Sequence, residues 1–183
     1  MTRPPRNGLD QPAAVAELAL PHLDAAYNLA RWLLKSDQDA ADAVHDAFLR
    51  AAERFHTFRG DNARGWWLAI VRNCCLSLLS ARRRAPRALD ALGPEERASL
   101  PHTEAAAVEE DLDLAQRAAR IVASLKDLPD DFREVIVLRE LEDCSYREIA
   151  GVLDVPIGTV MSRLSRARAL LRDRISDDST REA

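Results

Sequence analysis

Aromatic residues are scarce in this 183-residue chain, at 5%, and no stretch alternates apolar with polar side chains as a half-buried strand would. With alanine abundant, that excludes a large sheet and favours helices packed closely on one another. The three cysteines, Cys74, Cys75 and Cys144, have no metal-ligand spacing, and adjacent cysteines do not readily bridge each other. They are expected to be small buried hydrophobes in a reducing compartment. No run approaches the roughly 20 apolar residues of a membrane span, and the start lacks the apolar segment of a secretory leader, so a cytoplasmic location is expected. There is also no glycine-rich phosphate loop, metal cluster or nucleophile-base pairing. The chain is therefore not expected to be an enzyme or to carry a cofactor or metal.

What is present is a 47% apolar fraction, enough for packed cores, and a charge that is segregated rather than mixed. The formal net charge of -4 would by itself argue against a nucleic-acid partner. Arg59 to Arg87, however, holds seven arginines and one acid, Asp61, whereas Ala88 to Leu114 holds eight acids and one arginine. Basic and acidic blocks alternate along the chain.

The stretch SYREIAGVLDVPIGTVMSRLSRARALL, Ser145 to Leu171, organises the rest. Ser145 with Glu148 three residues on forms a helix start, and Ile149, Ala150 and Leu153 share one face of a short helix. Asp154-Val155-Pro156 ends it, and Pro156 suits the first turn of a second helix, expected to reach Arg174. Ile157, Val160, Leu164, Ala167 and Leu171 form the core stripe of that helix; Ser162, Ser165 and Arg166, with Met161 at the edge, lie opposite. Two helices and a tight turn with an arginine face fit a helix-turn-helix that sets its second helix in a DNA major groove. The same pattern also suits an ordinary helical hairpin with a solvated basic face.

Taken in order, residues 1–17 read as a flexible arm. Residues 18–84 read as a helical domain, with Leu23, Tyr27, Ala30 and Leu34 on one face and then Val44, Phe48, Ala51 and Phe55. On the second of these helices a stripe of Asp42, Asp46, Leu49 and Glu53 faces outward, either as a docking surface or simply as a solvated face. Phe55 to Gly65 is a loop; Trp66 and Trp67 open a helix to Arg84, with a core of Trp67, Ile70, Val71, Cys74 and Leu78. A glycine-containing loop, aromatics and a basic helix end are what a single-stranded nucleic-acid site needs, although tryptophans in so small a domain also serve as core. Residues 85–111 read as a flexible acidic linker. Helices resume with Leu114, Ala118, Ile121 and Leu125 in register; Asp130 or Asp131 caps the next. Residues 112–175 form the second domain and 176–183 a flexible tail. The fold class is all-α: two small helical domains joined by the linker, the second carrying the helix-turn-helix.

Three segments resemble bacterial sigma-70 family sigma factors of the extracytoplasmic-function subgroup. DAADAVHDAFLRAAERF resembles the core-polymerase-binding helix. FRGDNARGWWLAIVRN resembles the promoter-melting segment, and LPDDFREVIVLRELEDCSYREIAGVLDVPIGTVMSRLSRARALLR the upstream-promoter reader. The resemblance implies that 18–84 is a region 2-like domain and 112–175 a region 4-like domain. It implies that Asp42, His45, Asp46 and Leu49 dock on the clamp of the largest polymerase subunit. The minus-ten element would be held by Arg59, Gly60, Asp61, Asn62, Arg64, Arg72 and Asn73, and the minus-thirty-five element by Thr159, Met161, Ser162, Arg163, Ser165 and Arg166. His45 stands where the family commonly has glutamine, Ser77 where aspartate is frequent, and Met161 where arginine is frequent. Core RNA polymerase, promoter DNA and an anti-sigma factor are the implied partners. An operator-binding regulator that acts without polymerase is the alternative.

Overall fold

A computed structural model describes residues 11–84 and 110–181, and every regular element among them is helical. The helices are α1 Gln11–Ala19, α2 Leu23–Leu34, α3 Asp37–Glu53, α4 Ala63–Arg84, α5 Glu110–Lys126, α6 Asp130–Ile136, α7 Tyr146–Leu153 and α8 Ile157–Arg181. Most of the expected acidic linker, and the ends of the expected arm and tail, lie outside the described residues. The arm nevertheless gives way to helix at Gln11, where Pro12 suits a first turn and Val15 is fully buried. At the other end α8 continues beyond Ile175 to Arg181.

A 3-10 turn at Leu20–His22 separates α1 from α2 and shifts the helical register. In α2 Ala26, Leu29, Ala30, Leu33 and Leu34 fill the core, Ala30 and Leu34 as expected, whereas Tyr27 is half-buried and Leu23, expected inside, is 42% exposed at the start of the helix. Helix α3 buries Ala40, Ala43, Ala47 and Ala51, three or four residues apart. With only methyl groups on that face, its backbone can approach α2 and α4, and both pack against it. In α4 the expected core positions Trp67, Ile70, Val71 and Cys74 are buried, and so are Leu68 and Cys75 on an adjoining face. That second buried face arises because α4 also packs against α7 of the other half. Buried residues of the two halves form one continuous apolar cluster.

In the second half, the expected stripe on α5 is turned. Ala118 and Ile121 are exposed, Ser124 and Leu125 are buried, and Leu114 falls among side chains outside the description. Neither Asp130 nor Asp131 caps α6; Pro129 occupies the cap position. Asp130 instead accepts from the guanidinium of buried Arg133, which also donates to the carbonyls of Leu125, Lys126 and Leu128. Those carbonyls lie at and just beyond the end of α5, where backbone acceptors lack helical partners, so one side chain ties α5 to α6. A π-helical turn, Val137–Leu141, then leads to α7.

Candidate nucleic-acid and polymerase interface

Three surfaces collect the residues singled out by the sequence. The first is on α3. Ser36 caps the helix by accepting from the Asp39 backbone N–H at 3.3 Å, which fixes its start and phase. With the alanine face inward, Asp42, His45, Asp46 and Leu49 all point to solvent, Leu49 at 52% exposure. An apolar groove of about 430 Å³ runs beside them, lined by Leu20, Leu23, Tyr27, Val44, His45 and Phe48 among others. Acid beside exposed apolar surface suits a partner that is both basic and apolar.

The second surface is the 58–62 loop with α4. Phe55, Phe58 and Trp66 stack on one another with ring centroids 5.3–6.4 Å apart. The Trp66 indole N–H donates to Thr57 Oγ1 at 3.2 Å. This aromatic group braces the loop, while Trp67 belongs to the core; the two neighbouring tryptophans divide the roles the sequence left open. Gly60 sits at φ +89°, a conformation that favours glycine. Asn62 Oδ1 accepts from the Gly65 N–H at 2.8 Å and so caps α4. A Cβ at position 65 would stand 2.6 Å from the Asn62 amide nitrogen, so a larger residue there would push the Asn62 side chain from its capping position. Arg59, Gly60, Asp61 and Asn62 are exposed, as is Asn73 on α4, in line with Ser77, Ser80 and Arg84.

Arg64 and Arg72, expected at the same site, face the other half of the chain. Adjacent residues of a helix diverge by about 100°, so Asn73 looks outward while Arg72 looks in. Arg72 is 15% exposed and grips Glu134, itself 3% exposed, through Nε and Nη2 at 3.0–3.2 Å. Arg64 donates to the backbone oxygen of Glu142 and lies 3.8 Å from its carboxylate. The other carboxylate oxygen of Glu142 accepts from the Asn28 amide at 3.2 Å. Burial pushes the Glu134 carboxyl above its ordinary range, against the opposing pull of Arg72. Sequence reading singled out neither glutamate. A signal existed, because Glu134 lies in the otherwise apolar run EVIVL and shares a helical face with Leu138.

The third surface is the helix-turn-helix of α7 and α8. Ser145 Oγ accepts from the Glu148 N–H at 3.2 Å, and the Glu148 carboxylate accepts from the Ser145 N–H at 2.8 Å, a complete capping box. Asp154, at φ +54°, ends α7. Val160, Leu164 and Ala167 are buried as expected, but Ile157 is 43% exposed because it opens α8 before the helix reaches the core. On the outer side Met161, Ser162, Ser165 and Arg166 are exposed and Thr159 is half-buried. Arg163 instead turns back to Asp131 at 2.8 Å. Among the described residues no metal-binding cluster occurs and no helix is long and apolar enough to cross a membrane.

Against known proteins, the family model for sigma-70 region 2 matches residues 18–85 and that for sigma-70 region 4 matches residues 118–171. The chain is 37% identical to the ECF RNA polymerase sigma-E factor of Escherichia coli K12 over 141 residues, covering 75% of this chain and 74% of the relative. It is 34% identical over 167 residues to the ECF RNA polymerase sigma factor SigE of Mycolicibacterium smegmatis, covering 91% of this chain and 63% of that one. Among solved structures it is similar to the Bartonella quintana sigma factor RpoE in complex with the anti-sigma factor NepR. That likeness has a TM-score of 0.70 at 28% identity and covers 86% of this chain and 94% of the other. It is also similar to CnrH in complex with the cytosolic domain of CnrY, with a TM-score of 0.63 at 26% identity, covering 93% and 96%.

Proposed function

The chain belongs to the extracytoplasmic-function subgroup of the sigma-70 family of RNA polymerase sigma factors, and from that premise we propose how its three surfaces divide the work. As a sigma factor it joins core RNA polymerase, directs it to promoters carrying minus-ten and minus-thirty-five elements, and promotes initiation there. It supplies recognition and strand handling, not catalysis, and works in the cytoplasm.

Asp42, His45, Asp46 and Leu49 dock on the polymerase clamp. Their common exposure on one face of α3, next to an apolar groove, supports this role. The braced loop Arg59 to Asn62, with Arg64, Arg72 and Asn73, receives the unwound minus-ten strand. Extracting a base from the stack costs a few kcal/mol, which contacts in the loop and with polymerase offset. Met161, Ser162, Ser165 and Arg166, flanked by Thr159 and Arg163, meet the minus-thirty-five duplex. With short side chains around one free guanidinium, discrimination there rests on Arg166, phosphate contacts and DNA shape. Residues 18–84 and 112–175 then act as the two DNA-binding domains, and an anti-sigma factor is the expected regulatory partner. The observation that carries the reading is the coincidence, in one chain, of an outward acidic helix face, a braced glycine-containing loop and a capped helix-turn-helix.

The test mixes purified protein with sigma-free core RNA polymerase and fragmented genomic DNA and sequences the 5′ ends of the transcripts. Discrete start sites preceded by two motifs at fixed spacing are expected. An absence of transcripts, with no co-elution of protein and core enzyme, would sink the proposal.

A further inference from the structure

The outer face of α8 is built around small side chains. Gly158, Ser162, Ser165 and Ala169 are all exposed and follow one another at steps of three or four residues, so they share one stripe of the helix. A Cβ at Gly158 would meet nothing within 4 Å among the described residues. Packing inside the chain therefore does not call for glycine in this turn, where it weakens a helix. So shallow a stripe lets base edges come close to the side chains on its two flanks. Those are Met161 and Arg166, about 140° apart round the helix at 3.6 residues per turn. Arg166 presents an exposed guanidinium, and Met161 a large apolar side chain that is 53% exposed.

Polar groups beside Met161 are already engaged. Ser162 Oγ donates to the Thr159 carbonyl oxygen at 3.0 Å, which leaves it only able to accept from a base. Arg163 is turned back to Asp131. A thioether has no hydrogen-bond donor and is at best a weak acceptor. Pressed into a major groove, Met161 gains only by covering apolar surface, and the apolar group that base edges display there is the thymine C5-methyl.

We infer that Met161 is a specificity-determining residue, which packs against a thymine methyl and so selects thymine at one position of the upstream element. The inference rests on the reading of this face as the minus-thirty-five contact and adds one chosen base to it. Arg166, about 7.5 Å further along the helix axis, meets a different base pair.

The test uses holoenzyme, the full chain joined to sigma-free core RNA polymerase. Its template is a barcoded duplex library in which the minus-thirty-five element of a mapped promoter is randomised, and sequenced transcripts report the preferred bases. The wild type should favour thymine over cytosine at one position by about fourfold, the worth of one buried methyl group. Met161→Leu should keep that preference and Met161→Ala should lose it. Met161→Arg should exchange it for guanine, by about tenfold, because arginine pairs bidentately with that base. Replacing the single thymine by deoxyuridine removes the methyl alone. It should cost the wild type the same factor of about four and the alanine variant nothing. Circular dichroism melts establish that each variant is folded. A base preference common to all four proteins would overturn the inference, as would an equal loss of output on every template or a wild type indifferent to deoxyuridine. Templates that yield no transcript with any of the proteins would instead refute the sigma reading beneath it.

Discussion

Arg166 is an exposed guanidinium on the outer face of α8 beside Ser162 and Ser165, whereas Arg163 and Arg168 are tied to Asp131 and Glu140. A bidentate arginine-guanine contact is worth on the order of 1 to 3 kcal/mol of discrimination. Arg166→Ala should therefore lose roughly that much at one base pair of the upstream element, measured by transcription from single-base promoter variants; an equal loss on every variant would rule out base reading. The cysteines give a second prediction at this scale. Burial pushes the Cys75 thiol up to about 12 and the Cys144 thiol up to about 11. At pH 8 the reactive thiolate of these two is then scarce, so iodoacetamide should label Cys75 and Cys144 of the native protein slower than a free thiol, by on the order of a thousandfold. Rapid labelling of all three without denaturant would contradict their burial. That burial was expected from sequence because the thiols have no metal-ligand spacing and Cys74 falls in the core stripe of its helix. The exposure of Leu23 was not foreseen, because the 3-10 turn Leu20–His22 makes it the first residue of α2, at the rim of the core that Ala30 and Leu34 of the same stripe do reach.

At the scale of the element, the helix-turn-helix was the most legible part of the chain. Capping chemistry is local: Ser145, Glu148 and Pro156 specify where two helices begin, whatever packs on them. Ser145→Ala should cost about 1 kcal/mol in a urea melt. The carboxyl of Glu148 is held below its ordinary range, chiefly by its bond from the Ser145 backbone N–H. A lowered folded value contributes stability that is present above the unfolded value, near 4.5, and is lost as pH falls through the folded one. The stability difference between the wild type and Glu148→Gln should thus be seen at pH 7 and shrink as pH falls below the unfolded value and through the folded one. A difference that is constant with pH would mean the carboxylate charge plays no part. The stripe on α5 was misread for the opposite reason. Its inward face is the one that packs against α8, and Arg133 reaching back from α6 ties its end, contacts between elements that periodicity within α5 does not contain.

At the scale of the molecule, the arrangement leaves one face of α3 free to dock while a face of α4 is covered. Asp46→Arg reverses charge at the centre of the free face, at an exposed position outside the core. It should abolish co-purification with core RNA polymerase while leaving the thermal melt within about 0.5 kcal/mol of wild type, as expected for a surface change. Undiminished co-purification would move the docking face elsewhere.

Sequence alone determined the all-helical class, the helix-turn-helix with its capping box, and which face of α3 is outward. Each is set by spacing and capping within a few turns of chain. The family resemblance supplied roles for the exposed residues in the same way, by motif. Tertiary structure alone decided where Arg64 and Arg72 point and gave Glu134 and Glu142 a part to play. Their pairings span 62 and 78 residues of sequence, and an ion pair between two halves of a chain has no signature in the periodicity of either. Helical pitch placed Arg72 beside Asn73 in sequence yet about 100° away in direction; only the packing of α4 against the second half determined that one direction leads to solvent and the other to a buried carboxylate.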